Sequence, residues 1–308
     1  MGKIAAMFPG QGSQYVGMGR DLYDADAGVR ERYRTANDIL GCDITAISFS
    51  GPAEVLVQTT HTQPAIFLHS CAALDLAVKH GFVFDFCAGH SLGEYTALYA
   101  AGVLSFVHAL VAVARRAEFM QQACERNPGT MAAVLNLDWA TVLEVCQAID
   151  GVVGPANHNS PDQIAISGGL SAVEKASAHL KERGARRVLP LSVGGAFHSP
   201  LMEPAPQQLA EVLDALEFKP ARVPVVPNVT AQPTTDPDKL KELLVRQITA
   251  PVLWYPTLRR LAESGVDQFV EIGPRNVLAG LARKSLEGVS IGNLESLESI
   301  AAFAAVRA

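Results

Sequence analysis

This chain has too little cysteine to build on disulfides. Its five cysteines, Cys42, Cys71, Cys87, Cys124 and Cys146, are scattered, odd in number and form no Cys-x-x-Cys pair. That argues against a disulfide framework and a zinc site, and points to a reducing cytosol. No metal is expected. Positive charge is scarce as well: 25 Lys and Arg stand against 31 Asp and Glu, a net charge of −6. A nucleic-acid partner is not expected, because such binders need basic surface to neutralise phosphates. Long hydrophobic runs are also missing. The longest, Ala101 to Ala114, is interrupted by Ser105 and His108 and is too short to cross a bilayer. The first apolar run, Ile4 to Phe8, is cut off by Pro9-Gly10, which does not fit a secretory signal. No membrane partner is expected, and the expected location is cytoplasmic.

Core material, by contrast, is plentiful. The 308 residues are 49% hydrophobic and 18% charged, an ordinary globular balance. Length allows about two domains, and one large α/β domain with an insertion fits equally well. Ile4–Phe8 predicts a buried strand that ends in a glycine-rich turn. Thr62-Gln63-Pro64 predicts the start of a helix running to about Lys79, with Pro64 in its first turn. A strand over Val83–Ala88, a helix from about Leu92 to Ala101 and another from Ser105 to about Cys124 follow. Strand and helix alternate, as in a mostly parallel α/β sheet. Gln268–Ile272 and a helix from about Asn276 resume that pattern later.

Between them lies a stretch with a different order. It predicts strands at Met131–Leu135, Val152–Ala156, Gln163–Ser167 and Arg187–Leu191. A helix capped by Asp138 reaches Ile149, and a second opens on the capping box Ser171-Ala172-Val173-Glu174 and ends near Arg183. The order β-α-β-β-α-β is that of a ferredoxin-like unit. The expected fold is therefore an α/β-hydrolase-like large domain, residues 1–127 and 193–308, with an inserted ferredoxin-like subdomain, residues 128–192.

Gly89-His90-Ser91-Leu92-Gly93 is a Gly-x-Ser-x-Gly sequence between a predicted strand and a predicted helix. That is the context of a nucleophile elbow, in which the serine hydroxyl stands clear of the backbone. The Leu92 amide, at the helix start, is placed to donate to a developing oxyanion. The competing explanation is a chance match, since glycine and serine are common in turns. A serine nucleophile needs a base. Of eight histidines, His198 stands out in Gly194-Gly195-Ala196-Phe197-His198-Ser199-Pro200, a tight turn after a predicted strand. A lone histidine is as easily structural. His90 adjoins Ser91, but neighbours on a sharp turn point apart, so it is assigned a structural role.

Arg116 is the other conspicuous residue. Its helical neighbours Ala112, Val113, Phe119 and Met120 are all apolar, whereas Arg115 has Glu118 within reach. Arg116 therefore projects from a buried face and needs an anionic partner. An internal carboxylate and a substrate carboxylate both satisfy that need.

Taken together, these stretches resemble the malonyl-CoA:acyl carrier protein transacylases of fatty acid synthesis and the related acyltransferases of polyketide synthases. The matching segments are Phe8–Gln14, Gly89–Tyr95, Arg116 with Phe119-Met120-Gln121, Gly129–Ala133, Asn157–Pro161, Gly195–Ser199 and Glu271–Pro274. They recur in order along nearly the whole chain. The resemblance implies a two-stage transfer. Ser91 attacks the malonyl thioester with His198 as general base, coenzyme A leaves, and the phosphopantetheine thiol of acyl carrier protein takes the acyl group from the serine ester. It further implies an oxyanion hole from the Gln11 and Leu92 amides, Arg116 on the malonyl carboxylate, and Gln247 near the site. No acidic triad member stands out, and the resemblance implies that backbone or amide oxygens orient the histidine. Phe197 and Leu92 match the malonyl-selective form of these motifs. No cofactor is implied, because malonyl-CoA is a substrate.

Lys175, Lys181, Arg183, Arg186 and Arg187 gather in the predicted subdomain of an otherwise acidic chain. They are candidates for docking an acidic carrier protein, and a solvated helix face is the plain alternative. Two other functions share the elbow motif. A serine esterase or thioesterase would pass the acyl group to water, and a non-catalytic carrier-protein binder would need neither Ser91 nor His198. A discrete polyketide acyltransferase shares every residue discussed so far.

Overall fold

The structure, a computed structural model, describes residues 2–307. Two four-stranded sheets organise it. The first contains β1 (Lys3–Phe8), β2 (Phe86–Gly89), β7 (Val266–Ile272) and β8 (Ser290–Leu294) in the order β2-β1-β7-β8, all parallel. β1 is central and covered on both faces, which is why it reads as an unbroken apolar run. Its side chains alternate between two cores. Ile4, Ala6 and Phe8 pack toward the long helices Thr59–Lys79 and Phe106–Arg126, while Ala5 and Met7 pack against Trp254, Leu258 and Leu278.

The second sheet contains β3 (Gly129–Leu135), β4 (Val153–Ser160), β5 (Gln163–Gly169) and β6 (Arg187–Pro190), ordered β4-β5-β3-β6 and antiparallel throughout. With helices Trp139–Gln147 and Leu170–Glu182 between strands, this is the ferredoxin-like order. The two sheets make an α/β fold of two subdomains. Period-two alternation in the small sheet decides what it does for the site. Ala132, Val134, Ile164 and Ile166 pack on the subdomain's own helices, whereas Met131, Ala133 and Ala165 line a cavity shared with the large sheet's side. At the junction His158 stacks on Trp139, with ring centroids 4.9 Å apart, and touches Tyr255 of the large subdomain.

Three local expectations change. The helix at Pro64 starts earlier, at Thr59, so Pro64 lies inside it rather than in the first turn. The Thr62 hydroxyl, bonded to the Leu56 carbonyl, and backbone bonds to the Gln58 carbonyl wind the chain before the proline. The capping box at Ser171 does not form. β5 runs straight into a helix that begins at Leu170 with Gly169 as its cap, which leaves Ser171 and Glu174 inside. Finally, Val83–Asp85 is not strand. Val83 is exposed and pairing begins at Phe86.

Candidate active site

The chain turns sharply where β2 ends. Ser91 sits at φ 51°, a left-handed conformation, and the helix Gly93–Ala100 follows at once. The flanking glycines are there because of close approach: a Cβ on Gly89 would strike the Gly93 carbonyl, and one on Gly93 would strike the Phe8 carbonyl of β1. The elbow is thus pressed against the central strand. Asn228 holds it from the far side. Its Oδ1 accepts the Ser91 amide at 2.7 Å and its Nδ2 donates to the Gly89 carbonyl at 2.6 Å.

Two groups meet the Ser91 hydroxyl. His198 Nε2 lies 2.8 Å from Oγ, and Arg116 Nη2 donates to the same oxygen at 2.9 Å. His198 lies past β6, a strand of the antiparallel sheet, in a turn with φ 57°. Its Nδ1 is 2.8 Å from the Gln247 carbonyl. A carbonyl can only accept, so Nδ1 carries the proton and Nε2 is left as the acceptor for the serine hydroxyl. Burial, and next the nearby Arg116 charge, lower the His198 pKa to about 3. The imidazole is neutral at pH 7, the form a base requires.

Arg116 is 1% exposed, and burial lowers its pKa. Its partners are oxygens of neutral groups: Gln63 Oε1 at 2.7 Å, Ser91 Oγ and Gln247 Oε1 at 3.0 Å. The Tyr95 ring lies beneath it, 5.6 Å from centroid to guanidinium. Among the described residues no carboxylate contacts it, so the internal-carboxylate alternative is not met directly. Gln247 closes the helix Pro237–Gln247 and is fully buried. Its Nε2 donates to Glu94 Oε2 at 2.8 Å and to the Ser91 carbonyl at 3.1 Å.

These groups open onto a cavity of about 410 Å³, lined among others by Gln11, Leu92, Met120, Met131, Phe197 and Leu278. Gln11 and Leu92 thus flank the same space as the Ser91 hydroxyl. Phe197, 6% exposed, forms part of the wall. His90 lines the same cavity but makes no bond to Ser91 Oγ; its ring bonds Asn159 Oδ1 at 2.9 Å and meets Trp254 edge to face. Among the described residues no cluster of three or more His, Cys, Asp or Glu is arranged to hold a metal.

Sequence reasoning missed Gln63, Glu94 and Asn228. Gln63 and Glu94 stand in segments quoted for other reasons, and a polar side chain beside an apolar helical run was their only signal. Asn228 gives none, because it depends on a contact 137 positions away.

A half-buried hydroxyl held between an imidazole acceptor and a guanidinium donor can attack a carbonyl while the guanidinium keeps a second, anionic group of the same molecule in place. The sequence pattern described as acyl transferase domain matches residues 7–301. The malonyl CoA-acyl carrier protein transacylase of Bacillus subtilis (strain 168) is 43% identical over 304 residues, 97% of this chain and 96% of that one. An acyl carrier protein S-malonyltransferase from Vibrio cholerae superposes with a TM-score of 0.94 at 40% identity, covering 98% of this chain and 99% of that one. A malonyl-transacylase solved in complex with a type II PKS acyl-carrier protein also gives a TM-score of 0.94, at 38% identity, covering 97% of this chain and 98% of that one.

Proposed function

This chain belongs to the acyl transferase domain family, and on that premise we propose that it moves a malonyl group from malonyl-CoA to the phosphopantetheine thiol of acyl carrier protein, in fatty acid biosynthesis. The observation that carries the reading is the convergence on Ser91 Oγ of His198 at 2.8 Å and Arg116 at 2.9 Å. A base and a carboxylate-binding fork meet at one nucleophile.

His198 takes the serine proton as Oγ attacks the thioester, and returns it to the departing coenzyme A thiolate. The amides of Gln11 and Leu92 stabilise the oxyanion. Arg116 leaves the hydroxyl to clamp the free malonyl carboxylate, for which its planar fork is suited. That exchange also helps the base. Arg116 is the second cause of the low His198 pKa, and a carboxylate on the guanidinium offsets it, so malonyl favours the imidazolium that forms during attack. Phe197 narrows the cavity toward malonyl over methylmalonyl. The thiol then attacks the ester and His198 reverses its role. Coenzyme A is a leaving group and no cofactor enters the chemistry.

We read residues 128–192 as a subdomain inserted between 1–127 and 193–308, because they form their own sheet and their own apolar cluster. A cytosolic setting fits the five free cysteines. None of the described helices is long and apolar enough to cross a membrane.

Incubation with malonyl-CoA followed by intact mass should show one malonyl group, located on Ser91 by peptide mapping. Addition of holo carrier protein should discharge it far faster than water does. No adduct, or equal discharge by water, overturns the transferase reading, and equal discharge by water would indicate an esterase. A second acceptor class is favoured by one observation, the similar solved complex with a type II PKS carrier protein. A panel of fatty acid and polyketide carrier proteins decides between them.

A further inference from the structure

We propose that Glu94 is a positioning residue for this site, its carboxylate fixing through Gln247 and Asn228 the groups that carry the base, the guanidinium and the nucleophile. The inference rests on the transfer reading above.

Glu94 stands three residues after Ser91, in the first turn of the elbow helix, and is 0% exposed. Glutamate is almost never fully buried unless paired. In the first turn of a helix its ordinary role is to face that helix's own amides. Glu94 does neither. Its Oε2 accepts from Gln247 Nε2 at 2.8 Å and from the Asn228 amide at 2.9 Å, and among the described residues the buried Oε1 has no hydrogen-bond partner.

Each of those two partners is committed to the reacting groups. The Gln247 carbonyl orients His198, and its Oε1 receives Arg116. The Asn228 side chain holds both the Ser91 amide and the Gly89 carbonyl. One carboxylate oxygen is therefore one residue removed from every group that meets at Ser91.

Amide chemistry makes the link directional. A glutamine side chain offers a donor end and an acceptor end of nearly equal shape. With an acceptor-only carboxylate on one side and a donor-only guanidinium on the other, a single orientation satisfies both. Remove the charge at position 94 and that preference weakens. A flipped Gln247 would turn its N–H groups on Arg116 and push the guanidinium from its place. Above about pH 7, where its carboxylate is ionised, Glu94 also acts on Arg116 as a negative charge, through the Gln247 amide rather than by contact.

The test uses the enzyme at about pH 8, where Glu94 is ionised, and single-turnover acylation of Ser91 by malonyl-CoA, read by intact mass. Wild-type loading comes first, since its absence would sink the transfer reading itself and leave nothing to position. Glu94→Gln keeps the shape and removes the charge. Its acylation rate is expected to fall about 10- to 100-fold, the scale of lost hydrogen bonds to a charged group, with the KM for malonyl-CoA within about threefold of wild type. Gln247→Met cuts the same link, and the double variant should be no slower than the slower single one, because the two act through one connection. A wild-type acylation rate in Glu94→Gln, or losses that multiply in the double variant, overturns the proposal. Should Glu94→Gln fail to fold by circular dichroism, Gln247→Met decides alone, and a wild-type rate in it is equally fatal.

Discussion

Two buried histidines separate what burial does from what makes a site. His198 is 5% exposed and His69 is 0% exposed. Burial drives both pKa values down, to about 3 and about 4. Both rings are neutral at pH 7, yet they differ in every other respect. His198 has a partner on each nitrogen and faces a cavity. Among the described residues neither nitrogen of His69 has a hydrogen-bond partner, and the ring lies beside the equally unbonded hydroxyl of Tyr33. A low pKa marks burial alone, whereas a base also needs an orienting acceptor, a nucleophile and room for substrate.

The strongest way to break this contrast is to remove each ring. His198→Ala should lower malonyl transfer by about 10²- to 10⁴-fold, the usual contribution of a positioned general base. Ser91→Ala should abolish the acyl-enzyme. His69→Leu should leave transfer unchanged, because replacing unsatisfied polar atoms by apolar ones of similar size costs little or stabilises. Steady-state assays with holo carrier protein check all three, and a strong loss in His69→Leu would end the distinction.

Next in size is Arg116→Ala. Discrimination between malonyl and acetyl thioesters in Ser91 loading should fall about 10- to 100-fold, as expected for lost bonds to a charged partner. Competitive loading followed by intact mass measures it. An unchanged preference would return Arg116 to a purely structural role.

Stability against pH sharpens the comparison. His198 and His69 have lowered values in the folded state, so the unfolded chain binds their protons first. Their contribution is lost as pH falls below about 6.5 toward 4 and 3. Glu94 and Glu271 run the other way. Burial raises both to about 7, so the folded state holds their protons and stability falls as pH rises from about 4.5 to 7. Two pairs of opposite slope cancel between about pH 4.5 and 6.5. Below that window the histidine slope is uncompensated, at about 1.4 kcal/mol per pH unit for each ring down to its own pKa, and carboxylates held low by hydrogen bonds, such as Asp26 beside Lys79, add to the loss. Calorimetric Tm should therefore drop steeply below about pH 4.5. His69→Leu should soften that drop while leaving activity intact. An identical acid limb in wild type and variant would place the loss elsewhere.

The elbow was legible in the sequence because its cause is local. Gly93 admits close approach to β1, Gly89 lets the strand end pass close to Gly93, and one serine stands between them. The ferredoxin-like order was legible because period-two strands and helices alternate within about sixty residues, 129 to 190. The bonds of Arg116 to Gln63 and Gln247 cross 53 and 131 positions and leave no periodic trace. Glu94 was read as part of a motif and not as a buried acid, because nothing nearby shows that Asn228 and Gln247 will enclose it. The errors at Pro64 and Ser171 share a cause: helix-start signals describe a preference, and the chain arriving from the previous element decided where winding began.

The smallest expected effect concerns the basic cluster of the small subdomain. Arg183 is already engaged, with two 3.1 Å bonds to Glu144. Lys175, Lys181, Arg186 and Arg187 are exposed, and no side-chain partner occupies them among the described residues. Arg187 opens β6 at the sheet edge, and Leu191, just past its end, lines the cavity. Four residues of extended chain separate the two, roughly 13 Å. A carrier protein held at Arg186 and Arg187 would thus sit within an arm's length of Ser91. Reversing both charges should raise the KM for holo carrier protein about three- to tenfold at low salt, leave the KM for malonyl-CoA unchanged, and lose most of its effect near 0.5 M salt, where exposed charges are screened. A carrier-protein KM that does not move would return these arginines to the solvated face of the subdomain.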